Sequence, residues 1–428
     1  MRKSILNELS ELVKENVISV EIAQKIKNYY SQTEHRGSER SLMVFAILGA
    51  ILTALGIMLI VAHNWDDLTR EVKTVISFVP LVTGQVLCLF TIMKKYHNTA
   101  WRESVSAFVV LSIGAAISLI SQIYNIPGSF NAFMLTWTLL ALPVVYIMQS
   151  SVASLLYIAG ITSYAVETGY YTSPDSEANP YWLLLLLISP FYYVLYHVKP
   201  RSNFILFHHW FIPVSTIICL GIVAHNHDEL LFLSYISLFA FFYLIGKSAL
   251  LNEQKTYNNS YLILGSAGMM TILLMLSFDW FWKDLYKHEF SGFFTSPEFI
   301  TSVIIILLSG LMIIYNLKKK ISFEFPDGIF LLFILIFITG YYYPFLAVIL
   351  INLLILTAGI ITIRKGAKLD HLGILNYGLI IITTLVISRF FDADLSFVLR
   401  GILFLIVGSG FFLLNFQMIK KRRKLHDK

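Results

Sequence analysis

Cysteine is nearly absent: Cys88 and Cys219 are the only two in 428 residues, and both lie inside apolar runs. That excludes a disulfide framework and a cysteine-built metal site, leaving the pair as small packing residues. Charge is scarce too. Only 14% of residues are charged and 57% are hydrophobic, where a soluble domain carries about 25% and about 45–50%. The bilayer, not water, is therefore the expected solvent for most of the chain. No HExxH or similar metal motif occurs, and His63, His208, His209 and His225 show no converging spacing, so no metal and no cofactor is expected. The first 40 residues hold no early apolar stretch, so no cleavable signal is expected and insertion falls to the spans themselves. The net charge of +6 does not point to nucleic acid, because the densest basic run, Lys420 to Lys424, directly follows the last apolar segment. It reads as an anchor against anionic headgroups.

What the chain has in abundance is apolar runs of about 20 residues, the length that crosses a bilayer as one helix. By eye there are fourteen, from 42–62 to 395–418, including 151–168, 259–278, 344–363 and 371–389. The expected fold is all-α, a polytopic transmembrane helix bundle. The links at Gln149 and Tyr343 are short enough to demand helical hairpins. Lys and Arg stay on the cytoplasmic side of short loops. With the amino terminus inside, the inner connections carry Lys94, Lys95 and Arg102, then Lys199 and Arg201, Lys247 and Lys255, Lys318 to Lys320, and Arg364, Lys365 and Lys368. An even number of spans with both termini cytoplasmic follows. Rings such as Trp65, Trp280, Trp282 and Tyr341 to Tyr343 fall at the expected outer ends as interfacial anchors.

Three regions emerge. Residues 1–40 read as a cytoplasmic helical hairpin, with apolar stripes at Ile5, Leu9 and Leu12 and at Ile18, Ile22 and Ile26, and with Ser19 as the cap of its second helix. Residues 41–419 are the transmembrane domain, and 420–428 a basic cytoplasmic tail. IVAHNWDDL at Ile60 to Leu68 is echoed by IVAHNHDEL at Ile222 to Leu230, six spans later. A parallel duplication covering 42–198 and 203–363, with two terminal spans in 371–418, and a chance likeness of two helix ends both account for the echo.

The clustered acid maps to the expected outer face. The candidate site there comprises His63, Asn64, Trp65, Asp66, Asp67, Asp228, Asp392 and Asp394, with Arg389 and Arg400 bracketing the last two. Clustered carboxylates can hold a cation or cationic group. They are also what remains when only Lys and Arg are kept from crossing. At mid-depth the polar groups are neutral, among them Gln85, Asn352, Thr357 and Asn376, and suit interhelical hydrogen bonds. The connection 279–298 suits a short amphipathic helix in the interface.

The run LGAILTALGIMLIVAHNWDDL, then LISQIYNIPGSF at Leu119 to Phe130 and LTWTLLALPVVYIMQS at Leu135 to Ser150, resembles the bacterial membrane family known as domain of unknown function 2157. The run from Leu375 to Asn415 resembles the ending of those proteins and of a sibling family. The resemblance implies a multi-pass protein of a bacterial inner membrane and supplies no activity. Three functions are expected to compete: a carrier or flippase for a small or lipid-linked solute, a membrane scaffold or regulator recruiting a cytoplasmic protein through residues 1–40, and an enzyme on a lipid-linked substrate in which Asp66 and Asp67 act with a further carboxylate. The lipid bilayer is the one certain partner, and oligomeric state is not legible.

Overall fold

A computed structural model describes residues 68–171, 180–200, 202–224, 227–248, 258–287 and 292–392 continuously, with scattered positions before 68, at 251 and after 392. The described residues are 87% helical and include no strand. Ten helices among them are long and apolar enough to cross a membrane, or eleven if one bent pair is counted as a span. The architecture is thus the expected polytopic helical bundle. A total of fourteen is not established, since 42–62 and 395–418 lie largely outside the described residues. The chain divides into two compact units, 1–171 with 177–205, and 172–176 with 206–428.

In the first unit, α1 (Arg70–Phe90) runs on as a π-turn, Thr91–Lys95, before α2 (Thr99–Ile123), α3 (Phe130–Met148), α4 (Ser151–Val166) and α5 (Tyr181–Val198). Each start has a local cause. Thr69, Asn98 and Ser129 accept from the backbone N–H three residues on and so cap α1, α2 and α3. Small residues set the spacing: any side chain at Gly84 would run into Val109, and one at Gly114 into Trp137. Trp137 Nε1 donates to Val110 O at 2.7 Å, tying α3 to α2. Cys88 packs against the cluster of Val105, Val109, Ile113 and Met148, the packing role its sequence context suggests. The α3–α4 hairpin turns on Gln149, at φ +46°, and Ser150, the cap of α4.

Helix α6 (Asn203–Leu220) begins in the first unit and lies mostly in the second. The second unit continues with α7 (Glu229–Lys247), α8 (Ser260–Met275), α9 (Trp280–Lys287), α10 (Pro297–Lys318), α11 (Ile329–Tyr342), α12 (Pro344–Lys368) and α13 (Leu372–Asp392). Helices α7 and α10 meet along a heptad ladder of small polar groups. Ser302 Oγ lies 3.2 Å from Leu230 O and 2.7 Å from Ser234 Oγ, Ser309 Oγ donates to Ser237 O at 3.0 Å, and Asn316 Nδ2 donates to Leu244 O at 3.0 Å. The offset is 72 residues at each backbone rung, so the two helices run parallel. A seven-residue repeat matches the seam of a left-handed helix pair. Such interhelical bonds average about 0.6 kcal/mol each in a membrane, so the ladder sets register more than it adds stability.

Glycines close the antiparallel pairs. Gly246 and Gly265 let α7 and α8 approach backbone to backbone at Leu262 and Tyr243, while Gly366 and Gly378 do the same for α12 and α13 at Leu375 and Ile363. The α11–α12 hairpin turns on Tyr343, as its tight link requires. Near Ser277 the chain breaks and bends by 72° into α9. This is the expected short amphipathic helix, but with a correction. Trp282 is not an interfacial anchor: it is 0% exposed, its Nε1 donates to Leu276 O at 2.7 Å, and its ring fills the space beside Gly340. The indole is held by a freed carbonyl at the break, which a lipid-facing ring would leave unpaired. Trp280, by contrast, is exposed.

Candidate functional site

The site expected at the outer ends is only partly described. His63, Asn64, Trp65, Asp66, Asp67, Asp394 and Arg400 lie outside the described residues, and Asp392 is described only as the last residue of α13. Asp228 is exposed at the start of α7, next to a buried pair: Glu298 of α10, 0% exposed, accepts from His227 N at 3.2 Å. Arg389 of α13 donates from Nη2 to Ser277 Oγ at 3.0 Å and lies 4.4 Å over the Phe278 ring. On the other side of the break, Asn352 of α12 donates to Ser277 O at 3.1 Å. Asn352 therefore has the interhelical role its depth suggests. The break between α8 and α9 is closed by side chains, with Ser277 as the knot.

The basic end of the second unit carries a set of carboxylates that spacing did not reveal. Lys247, the last residue of α7, makes a 2.6 Å ion pair with Asp327 and lies 3.8 Å from Glu324. Its Nζ also donates to Ser322 O at 2.7 Å. Lys365 of α12 pairs with Glu324 in turn. Asp327 and Glu324 cap a short turn, Phe325–Gly328, that leads into α11. Acid is thus not confined to the expected outer ends; here it neutralises Lys247, which would otherwise be largely buried without a counter-charge, and the half-exposed Lys365. Glu324 and Asp327 stand in a loop of mixed charge with nothing in their spacing to mark them. Their partners are 41 and 80 residues away.

Beside this cluster an apolar groove of about 330 Å³ runs between α11 and α12. Leu335 and Thr339 form one wall, Leu353 and Thr357 the other, and Phe325 lies at one end. Both threonine hydroxyls donate to carbonyls of their own helices, Leu335 O at 2.8 Å and Leu353 O at 2.7 Å. The groove therefore offers no free donor, and its surface is hydrocarbon.

The first unit has its own buried carboxylate. Glu103 of α2 is 1% exposed and accepts from Ser150 Oγ at 2.6 Å, Ser151 N at 3.2 Å and Val152 N at 2.9 Å. Three donors and the positive end of α4 converge on it, the arrangement that holds an anion at a helix start. Near it Arg102 lies 5.6 Å over the Tyr96 ring. The Lys199 ammonium at the end of α5 is held below its ordinary range by burial, with Arg102 pushing the same way and Glu103 opposing. Near the amino terminus Ser19 caps the helix at 20–26 as expected, accepting from Ile22 N at 3.3 Å. Among the described residues no three His, Cys, Asp or Glu side chains gather as a metal ion needs.

Residues 10–154 match the family described as predicted membrane protein (DUF2157). No curated protein and no solved structure matches the chain.

Proposed function

With residues 10–154 matching a family of predicted membrane proteins, we propose that the chain is a carrier or flippase for a lipid-linked solute. The observation that supports this is the groove between α11 and α12. It is apolar along its walls, lies between two spans, and at about 330 Å³ falls at the small end of ligand-sized sites. A water-soluble solute needs polar groups to replace its hydration, and neither wall offers a free donor. A hydrocarbon tail needs none. The position of the chain in a bacterial inner membrane with both termini cytoplasmic is part of the same reading, and rests on the alternation of basic loops. The outer-face residues Asp66, Asp67, Asp228, Asp392 and Asp394 are then a vestibule where the polar part of the solute is released.

The experiment is reconstitution of the full chain in vesicles carrying a fluorescent phospholipid, followed by bleaching from outside with a membrane-impermeant reductant. Accelerated loss of the protected fraction is expected, slowed in Leu353→Trp, which fills the groove from an exposed position. Rates no faster than protein-free vesicles, or unchanged in Leu353→Trp, would defeat the reading. A second reading, a regulator that recruits a partner through residues 1–40, is supported by exposed Val17, Val20 and Ile22 around the Ser19 cap. Under it, deleting residues 1–40 abolishes function; under the carrier reading it only modulates the rate.

A further inference from the structure

The apolar groove does not end in apolar surface. On a helix of 3.6 residues per turn, the groove stripe of α12, Leu350, Leu353, Leu354 and Thr357, continues three turns on through positions 361, 364, 365 and 368. Three of those are basic, and two of the three, Arg364 and Lys368, are exposed. They stand apart from their neighbour. Lys365, one residue along on the same stripe, is paired with Glu324, as Lys247 is with Asp327. Among the described residues no ion pair involves Arg364 or Lys368. The Glu324–Lys365 bond also fixes the level, since Phe325, next to Glu324, forms the end of the groove. Two cations without an ion pair among the described residues therefore stand at the mouth of a hydrocarbon-lined slot. From Phe325 to Thr339 the slot is about 20 Å long at 1.5 Å per helical residue, enough for the roughly 15 Å hydrocarbon depth of one leaflet.

We infer that the groove holds one tail of an anionic glycerophospholipid from the leaflet at the Arg364 and Lys368 end, with its phosphate between those two side chains. The inference rests on the lipid-linked reading above and names the chemistry of the ligand: a hydrocarbon tail, a phosphodiester, and a further negative charge or no positive one. Arg supplies a planar fork for two phosphate oxygens and Lys a mobile point charge, a pairing suited to a phosphate held against a membrane surface. Charge at the mouth and hydrocarbon in the slot together select an amphiphile of this type; a zwitterionic lipid would bring its own ammonium against the two cations.

The test uses the purified full chain, delipidated and offered phosphatidylglycerol and phosphatidylethanolamine with identical dioleoyl chains in equal amounts, with retained lipid counted by native mass spectrometry. Wild type is expected to retain the anionic lipid roughly thirtyfold over the zwitterionic one, the order expected of two basic side chains at a membrane surface. The preference is expected to vanish in Arg364→Gln/Lys368→Gln and to survive in Lys318→Gln/Lys320→Gln, which removes the same charge off the stripe. Leu353→Trp is expected to lose both lipids. Lipid retained without headgroup preference, yet lost in Leu353→Trp, would overturn the inference while leaving the tail groove standing. Retention unaffected by Leu353→Trp would overturn the groove and the inference together. Equal loss of preference in the two charge variants would reduce the effect to general surface potential and overturn the site.

Discussion

Glu103 lends itself to a quantitative test because its surroundings are fully specified. Its carboxylate takes three hydrogen bonds from the start of α4, and the residue is 1% exposed. Replacing it by Gln keeps the shape but leaves one acceptor oxygen and turns an NH₂ toward backbone N–H groups. At least one buried donor is then stranded, which costs about 1–3 kcal/mol. Ala strands all three and removes the charge from the helix start, for roughly 4 kcal/mol in all. At about 2–4 °C per kcal/mol for a unit of this size, Glu103→Gln should lower the melting temperature of the first unit by about 4–8 °C, and Glu103→Ala by about twice that. The two cysteines supply the readout. Cys88 packs beside Val105 and Val109, on the same helix as Glu103. Cys219 is buried in the second unit and is removed so that it adds no second signal. In a Cys219→Ala background, labelling of Cys88 by a thiol-reactive dye during a thermal ramp reports unfolding of that core directly. A melting temperature unchanged by Glu103→Gln, or an Ala variant no worse than the Gln variant, would refute the claim that Glu103 anchors α4.

Breaking the Lys247–Asp327 pair at one partner should be more harmful than removing both: Asp327→Ala leaves an ammonium that is 14% exposed with only Glu324 at 3.8 Å and Ser322 O, for up to about 3 kcal/mol, and Asp327→Ala/Lys247→Met should recover most of it when labelling of Cys219, in the second unit, is followed through the ramp in a Cys88→Ala background. Gly366→Val puts side-chain atoms into the Leu375 backbone, so the α12–α13 pair should splay, at about 1–3 kcal/mol or more; a disulfide engineered between these helices in the native protein should fail to form in the variant. Lys199 is held below its ordinary range in the folded chain. The unfolded chain then binds the extra proton, so this group opposes folding below its folded value and ceases to as pH rises toward the ordinary lysine value. Stability should rise on the alkaline side, and that part of the rise should flatten in Lys199→Gln.

Much of the fold was legible because it depends on local rules. Runs of apolar residues mark helices that must satisfy their own backbone in lipid, and links of one or two residues at Gln149 and Tyr343 leave no alternative to hairpins. The Ser19 cap is a matter of three neighbouring positions. Trp282 shows where such rules stop: tryptophan at the end of a span favours the interface on average, but here the bend after Met275 opens a carbonyl that the indole reaches inward to satisfy. Glu103, Glu324 and Asp327 read as ordinary loop charges, because their meaning lies in partners 41 to 80 residues away. The groove was equally hidden, since a lipid-facing slot and a lipid-facing ridge have the same composition. Of the residues proposed at the outer ends, Arg389 is the one whose surroundings are most fully described, and it braces the break at Ser277.

The constant offset between α7 and α10 bears on sidedness without reference to charge at all. Two helices in parallel register that both cross the bilayer enter from one compartment and leave into the other, so the intervening chain must return across it an odd number of times. The stretch around α8 and the bend after it is the part available for that return. It follows that 248 and 319 emerge on one side, and 228 and 296 on the other, whichever way round the protein sits. Site-directed labelling at those four positions, in vesicles holding the protein in one orientation, should therefore find each pair on a single side and the two pairs on opposite sides.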